Sequence, residues 1–150
     1  LAFDRWTGNS DARQAIFFRR RVREWLDHPS IPPQQKGFVA QMVDHGYIFD
    51  GPHWTFTDAP LQGLYPRHIV YDSARSLEDF EPWLERIRNF PESVVDEAWR
   101  RIPPGWVEGE QDDLERLLER LLQRRKRVAD LVAAGVGARP QVFANWVAVK

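Results

Sequence analysis

The sequence predicts an α+β chain, mostly α, in which a small β-hairpin packs on a C-terminal helical bundle. Three observations predict it. Two short apolar runs, 15–18 and 38–43, flank a polar and Pro-rich connection, which is the pattern of paired strands. From Ser76 onward, apolar residues recur at three- and four-residue steps, the period of a helix with one buried face. With 150 residues, 43% hydrophobic and 13% aromatic, the chain suits one domain with a sizeable core. That domain divides into a loop-rich hairpin part (1–75), a helical part (76–134) and a tail (135–150).

The totals also exclude some roles. A formal net charge of −1 gives no global electrostatic case for nucleic acid and argues against its direct binding. The absence of cysteine removes disulfides and thiolate metal sites. No apolar run approaches the ~20 residues of a membrane span, and no signal peptide is visible. The expectation is a cytoplasmic chain without a membrane partner. It opens on Leu1 in mid-pattern without an initiator Met, so it is expected to be a fragment whose N-terminal part is missing.

In order, residues 1–6 resemble the tail of a helix, which Thr7-Gly8-Asn9 ends. A polar loop, 9–14, leads into the first strand, 15–18. A basic segment starting at Arg19-Arg20-Arg21 then runs to Gln35, with a helical turn expected over 19–26; its charge is read as a solvated face. The run 38–43, with β-branched Val39 and Val43, reads as a buried strand. From Tyr47 to Ser73, breakers forbid long elements, but Tyr47, Phe49, Trp54, Phe56, Tyr65 and Tyr71 suit a structured covering segment. Arg67 and His68 are placed on its surface.

Ser76 with Asp79 resembles a capping box before Leu77, Phe80, Leu84 and Ile87, with Pro82 in a first turn or a kink. Pro91 opens a second helix at its first position, with Val94, Val95, Ala98 and Trp99 as its apolar face. It stops before Pro103-Pro104-Gly105, and Trp106 and Val107 are expected to anchor the next turn. A third helix, from about Asp112 to Ala134, carries Leu114, Leu117, Leu118, Leu121, Leu122, Val128, Leu131 and Val132. Arg124-Arg125-Lys126-Arg127 is read as surface charge near its end, suited to the helix dipole. Phe143 and Trp146 are expected to pack back onto the body.

Two polar loops flank the hairpin. One holds Asn9, Asp11, Arg13 and Gln14; the other holds Asp44, His45 and Gly46. A hairpin brings its outer ends together, so carboxylates and amides from both loops share one edge. Phosphoryl transfer uses such groups: one carboxylate accepts the proton of the attacking hydroxyl, and another, with an amide oxygen, holds magnesium. Taken singly, the residues also have plain structural readings. Asp11 can cap a turn, Asn9 can take a left-handed position, His45 can be a hydrogen-bonded structural histidine, and Arg13 can pair with Asp11 or Asp44. Glycine at 46 is expected to permit the turn after Asp44.

Asp44-His45-Gly46 after an apolar strand resembles the Asp-Phe-Gly element of protein-kinase-like folds. Gly8-Asn9-Ser10-Asp11 resembles the catalytic loop of the HipA-like kinases of bacteria, roughly Gly-Asn-x-Asp-Arg. Ile102-Pro103-Pro104-Gly105-Trp106 resembles their Ile-Pro-x-x-Trp turn. The resemblance spans about residues 1–122 and implies a protein-kinase-like C-terminal lobe. It implies ATP and Mg²⁺ as cofactors, Asp11 as catalytic base with Asn9 and Arg13 beside it, Asp44 as main metal ligand, and His45 and Gly46 in the cofactor-binding turn. Ile16 stands where the family places a second metal-binding Asn, and Gln14 supplies the nearest amide oxygen. The glycine-rich loop, nucleotide-binding lysine and partner Glu belong to an N-terminal lobe, so the fragment alone is expected to be inactive.

The function expected is therefore transfer of the ATP γ-phosphoryl group to a hydroxyl of a protein or small molecule, in a toxin–antitoxin-like setting. A non-catalytic helical protein-interaction module, using the aromatic loops and the helix over 114–132, is the alternative. A nucleic-acid-binding role for Arg19–Arg21 and Arg124–Arg127 ranks below both.

Overall fold

The computed structural model describes residues 1–25, 29–59 and 62–147. It is α+β and about half helical, with one two-stranded antiparallel sheet. Helix α1 spans Ala2–Thr7 and ends at Gly8, whose φ of 59° is left-handed and whose N–H returns to the Asp4 carbonyl. Glycine is required there: a Cβ would fall 2.6 Å from the Phe56 ring. Strands β1 (Gln14–Arg21) and β2 (Lys36–Val43) pair in register, Gln14 opposite Val43 and Arg21 opposite Lys36. The sheet therefore runs past the apolar runs and takes in Arg19–Arg21, where the sequence suggested a connection. Among the described residues of the basic segment only the short turn Val22–Glu24 is helical, and Leu26, the end of the expected turn, lies outside them.

β2 is a strand, but not a buried one. Phe38 is 76% exposed, and Ile16, Phe17, Phe18 and Met42 are exposed too. A continuous apolar run implies cover on both faces, and no residue of either strand is fully buried.

The capping box at Ser76 and Asp79 forms, but it starts only the short turn Leu77–Phe80. Pro82 separates that turn from α2 (Trp83–Arg88). Helix α3 (Glu92–Arg101) starts one residue after Pro91. Trp106 is 80% exposed and anchors nothing, whereas Val107 packs against the core. The expected third helix is two: α4 (Gln111–Arg124) and α5 (Val128–Ala138), joined by the turn Arg125–Arg127.

The main core gathers around α1. Trp6, Phe56, Leu84, Ile87, Leu117, Leu121, Val128 and Val132 are all buried in it. The Trp6 indole N–H donates to the Leu121 carbonyl at 2.8 Å, so the ring's polar edge is satisfied. A second cluster joins Tyr71 and Ala74 to Val136, Val142 and Phe143, with Trp146 against it, so the tail packs back as its aromatics predict. Residues 148–150 of that tail lie outside the described residues. The segment between the sheet and α2 is an ordered cover: Phe56 and Tyr71 are buried, while Arg67 and His68 stay exposed.

The basic run at the α4–α5 junction is a solvated face only in part: Lys126 and Arg127 are exposed, Arg125 is half-buried, and Arg124 is buried. Arg124 is 7% exposed and donates to the carbonyls of Trp6 (2.9 Å) and Arg5 (2.6 Å) and to the Asp58 carboxylate. Its guanidinium lies 4.4 Å over the Phe56 ring. Arg125 donates to the Leu122 and Phe90 carbonyls and to Glu92. Arg127 reaches Asp58 at 2.8 Å. These guanidiniums tie α4 to the end of α1 and to the covering segment. No helix among the described residues is long and apolar enough to cross a membrane.

Candidate active site

The two polar loops meet at the base of the hairpin, and a buried arginine laces them together. Arg13 is 4% exposed, and its Nε donates to Asp4 Oδ1 at 2.9 Å. A second N–H of the same guanidinium donates to that oxygen. The remaining arm donates to the carbonyls of Val43 (2.9 Å) and Asp44 (3.3 Å) and to His45 Nδ1 (2.8 Å). Arginine only donates, so Nδ1 must accept and the His45 proton sits on Nε2. Ser10 adds to the lacing: its N–H donates to the Tyr47 carbonyl at 3.0 Å and its hydroxyl at 3.3 Å.

Asp4 was not legible as a site residue. It is fully buried on α1, and it anchors Arg13 on one side and Asn9 on the other, whose amide donates to Oδ1 at 3.2 Å. Among the described residues its second oxygen accepts no hydrogen bond; it lies 3.7 Å from the Leu1 amine. Gly63 closes over it; a Cβ there would fall 2.3 Å from the Asp4 Cβ. The available signal was an acid inside the apolar pattern Leu1-Ala2-Phe3-Asp4-Arg5-Trp6.

The anticipated site residues divide by burial. Asn9 is 1% exposed; with its amide on Asp4, its oxygen accepts the Asp11 N–H at 3.3 Å. It therefore orients the loop and is withdrawn from solvent. Arg13 pairs with Asp4, a partner neither loop supplies. Asp11 is exposed and caps its own turn through the Ala12 N–H at 2.6 Å. Gln14 and Asp44 are also exposed and meet directly: the Gln14 amide donates to Asp44 Oδ2 at 2.7 Å.

That contact follows from the strand register. Gln14 opposes Val43, so its side chain reaches the residue just beyond the end of β2. Asp44 itself takes the left-handed conformation, φ 59°, which Asp tolerates better than most residues. Gly46 is not left-handed, correcting the expectation that its conformational freedom makes the turn. A Cβ there would lie 3.8 Å from Asp44 Oδ1, an ordinary contact, so neither backbone conformation nor space demands glycine at 46. The His45 ring rests 6.2 Å from the Phe3 ring.

Backbone strain concentrates just past this turn. Phe49, Asp50, Trp54 and Phe56 all have positive φ, uncommon for aromatic residues and found where surrounding structure imposes it. The Asp50 N–H donates to the Gly8 carbonyl at 3.1 Å, so the strained segment is fastened to the end of α1.

As a metal site the arrangement is open. No group of three His, Asp or Glu side chains able to hold an ion occurs among the described residues. Asp44 with the Gln14 amide supplies two oxygen-bearing groups side by side, provided the amide turns its oxygen toward the ion; the two ends of an amide are assigned from their hydrogen bonds. Such a pair fits Mg²⁺, which keeps several of its waters and takes one or two protein carboxylates plus phosphate oxygens. Comparison with protein-family models, curated proteins and solved structures finds no match to this chain.

Proposed function

We propose that this chain is the C-terminal lobe of a HipA-like, kinase-fold phosphotransferase that moves the ATP γ-phosphoryl group to a hydroxyl acceptor. One observation carries the reading: the Arg13 guanidinium joins the Asp11 loop to the Asp44 turn while Asp11, Gln14 and Asp44 stay exposed. Phosphoryl transfer needs little covalent chemistry from the protein and depends on fixed charges at fixed positions. In this reading Asp11 takes the proton of the acceptor hydroxyl. Asp44 and Gln14 hold Mg²⁺, which supplies charge neutralisation at the phosphates. Asn9 and Arg13 position the loops and touch neither nucleotide nor acceptor. His45 orients the turn through its bond to Arg13.

The chain itself allows a test. Mn²⁺, a paramagnetic substitute for Mg²⁺, should broaden the backbone amide signals of Gln14, Asp44 and His45 before all others, and Asp44→Asn should abolish the broadening. In a longer protein that contains this chain and transfers phosphate from ATP, Asp11→Asn and Asp44→Asn should each abolish transfer with the fold retained. Broadening elsewhere only, or transfer unchanged in either variant, sinks the assignment.

The non-catalytic interaction module keeps one observation in its favour. A groove of about 400 Å³ runs between α1, α2 and the base of the sheet, with Phe3, Met42 and Trp83 exposed along it.

A further inference from the structure

The hairpin concentrates charge that the chain as a whole conceals. Residues 14–43 carry five cations (Arg19, Arg20, Arg21, Arg23 and Lys36) against two acids, Glu24 and Asp27; the rest of the chain is correspondingly acidic. All five cations are exposed. None makes a salt bridge among the described residues, whereas Arg88, Arg101, Arg116, Arg124, Arg125 and Arg127 all do. Register makes the concentration costly. Arg21 stands directly opposite Lys36, and like charges so placed destabilise a strand pair. A stability-driven sequence would put an acid at one of these positions.

Aromatic rings are interleaved with the cations on both faces. On one face Arg19 opposes Phe38, which is 76% exposed, and Phe17 follows toward the base. On the other, Phe18, Arg20 and Trp25 line a groove of about 610 Å³, and Trp25 is 64% exposed. From these positions we infer that the hairpin is a binding arm for single-stranded nucleic acid that wraps across both its faces, with phosphates on the cations and unpaired bases stacked on Phe38 on one face and Trp25 on the other.

The alternatives fit less well. An acidic protein segment would satisfy the charges but leave the flat rings without a matching partner. A membrane surface needs one apolar face opposite a polar one, and here each face carries both cations and rings. Duplex DNA keeps its bases stacked and closed to aromatic side chains, whereas single strands offer a π-face at every nucleotide. The neutral whole-chain charge is no obstacle, because binding depends on local cation density along the strand.

The test is fluorescence anisotropy of labelled twelve-nucleotide single strands, RNA and DNA, titrated with the whole chain at 50 and 200 mM salt. Saturable binding should weaken roughly tenfold or more between these salts if about three phosphates are neutralised, at about −0.7 in log–log slope per contact. The triple variant R19A/R21A/K36A should lower that slope by about 2, by the same constant. Its melting temperature should not fall, since removing opposed like charges relieves the sheet. Phe38→Ala with Trp25→Ala should weaken binding by roughly thirtyfold or more at fixed salt, with the slope unchanged, from two lost stacking contacts. The inference fails if no single strand binds at 50 mM salt or the triple variant binds like the parent. It fails equally if polyglutamate or a duplex of the same length competes as well as the single strand.

Discussion

Replacing Arg13 by Met tests whether the two loops depend on one buried ion pair. Asp4 is fully buried and Arg13 nearly so. In Arg13→Met the Asp4 carboxylate keeps the Asn9 amide at 3.2 Å and, on its other oxygen, the Leu1 amine at 3.7 Å, but loses both guanidinium hydrogen bonds. An ion pair broken by removing one partner strands a buried charge, at about 3–5 kcal/mol. The opposite change is milder. In Asp4→Asn, Arg13 keeps the Val43 and Asp44 carbonyls and His45 Nδ1, which border the exposed turn. We expect Arg13→Met to cost at least ~1 kcal/mol more than Asp4→Asn, and the double variant to cost less than the two singles together, because they share one interaction. The assay is urea unfolding followed by tryptophan fluorescence. With a slope of ~2 kcal/mol/M, a loss of about 4 kcal/mol moves the midpoint down by roughly 2 M. A midpoint shift under ~0.5 M for Arg13→Met, or strict additivity in the double variant, would refute the reasoning.

Two further outcomes follow from single residues. Gly63→Ala places a Cβ 2.3 Å from the Asp4 Cβ at a φ of 69°, so overpacking and left-handed strain should together cost about 2–4 kcal/mol; Gly137→Ala in α5, with nothing within 4 Å, should leave stability equal or higher by ~0.5 kcal/mol. Equal melting temperatures for the two variants would contradict the packing described for Asp4. Burial pushes the Asp58 carboxyl up, but the hydrogen bonds and charges of Arg124 and Arg127 together outweigh it and hold the group below its ordinary value. A lowered folded value gives stability that is present above the unfolded value of about 3.9 and lost as pH falls through the folded one. The stability gap between the parent chain and Asp58→Asn should therefore narrow from pH 5 toward pH 2, and a gap independent of pH would rule the contribution out.

The hairpin, the helix-ending Gly8 and the capping box were legible because each depends on residues close in sequence, and the return of Phe143 and Trp146 because large rings favour burial whatever their partner. The burial of β2 was misread because an apolar run shows that cover is favourable, not that the chain supplies it. Arg124 was hidden by its neighbours. Read as one of four consecutive basic residues it looks solvated, yet Leu114, Leu117, Leu121, Arg124 and Val128 follow one another at steps of three and four, so Arg124 lies on the buried stripe. Nothing in the sequence announces the break after it, since no Gly or Pro falls between positions 111 and 134. At the site, the juxtaposition of the loops followed from hairpin topology, whereas Asp4 did not, because its partners Arg13 and Asn9 meet it only through the tertiary fold.

The buried guanidiniums share one pattern, and it links the fold to the proposed chemistry. Arg124 donates to the carbonyls of Arg5 and Trp6 at the end of α1, Arg13 to those of Val43 and Asp44 at the end of β2, and Arg5 to that of Ala59 in the cover. Arg124 and Arg13 are therefore used where an element stops, and Arg5 where the cover runs without regular structure; in each place carbonyls need donors. Apolar packing can hold such a place only by burying it, which would remove Asp11 and Asp44 from solvent. A guanidinium reaches the backbone from beneath and leaves the outward side chains exposed. If Asp11 takes a proton while Asp44 stays in place, as proposed above, the loops gain from resting on buried arginines, and substitution of Arg13 by Lys should loosen them. A single ammonium cannot reach both the Asp4 carboxylate and the Val43 and Asp44 carbonyls in the same fork geometry.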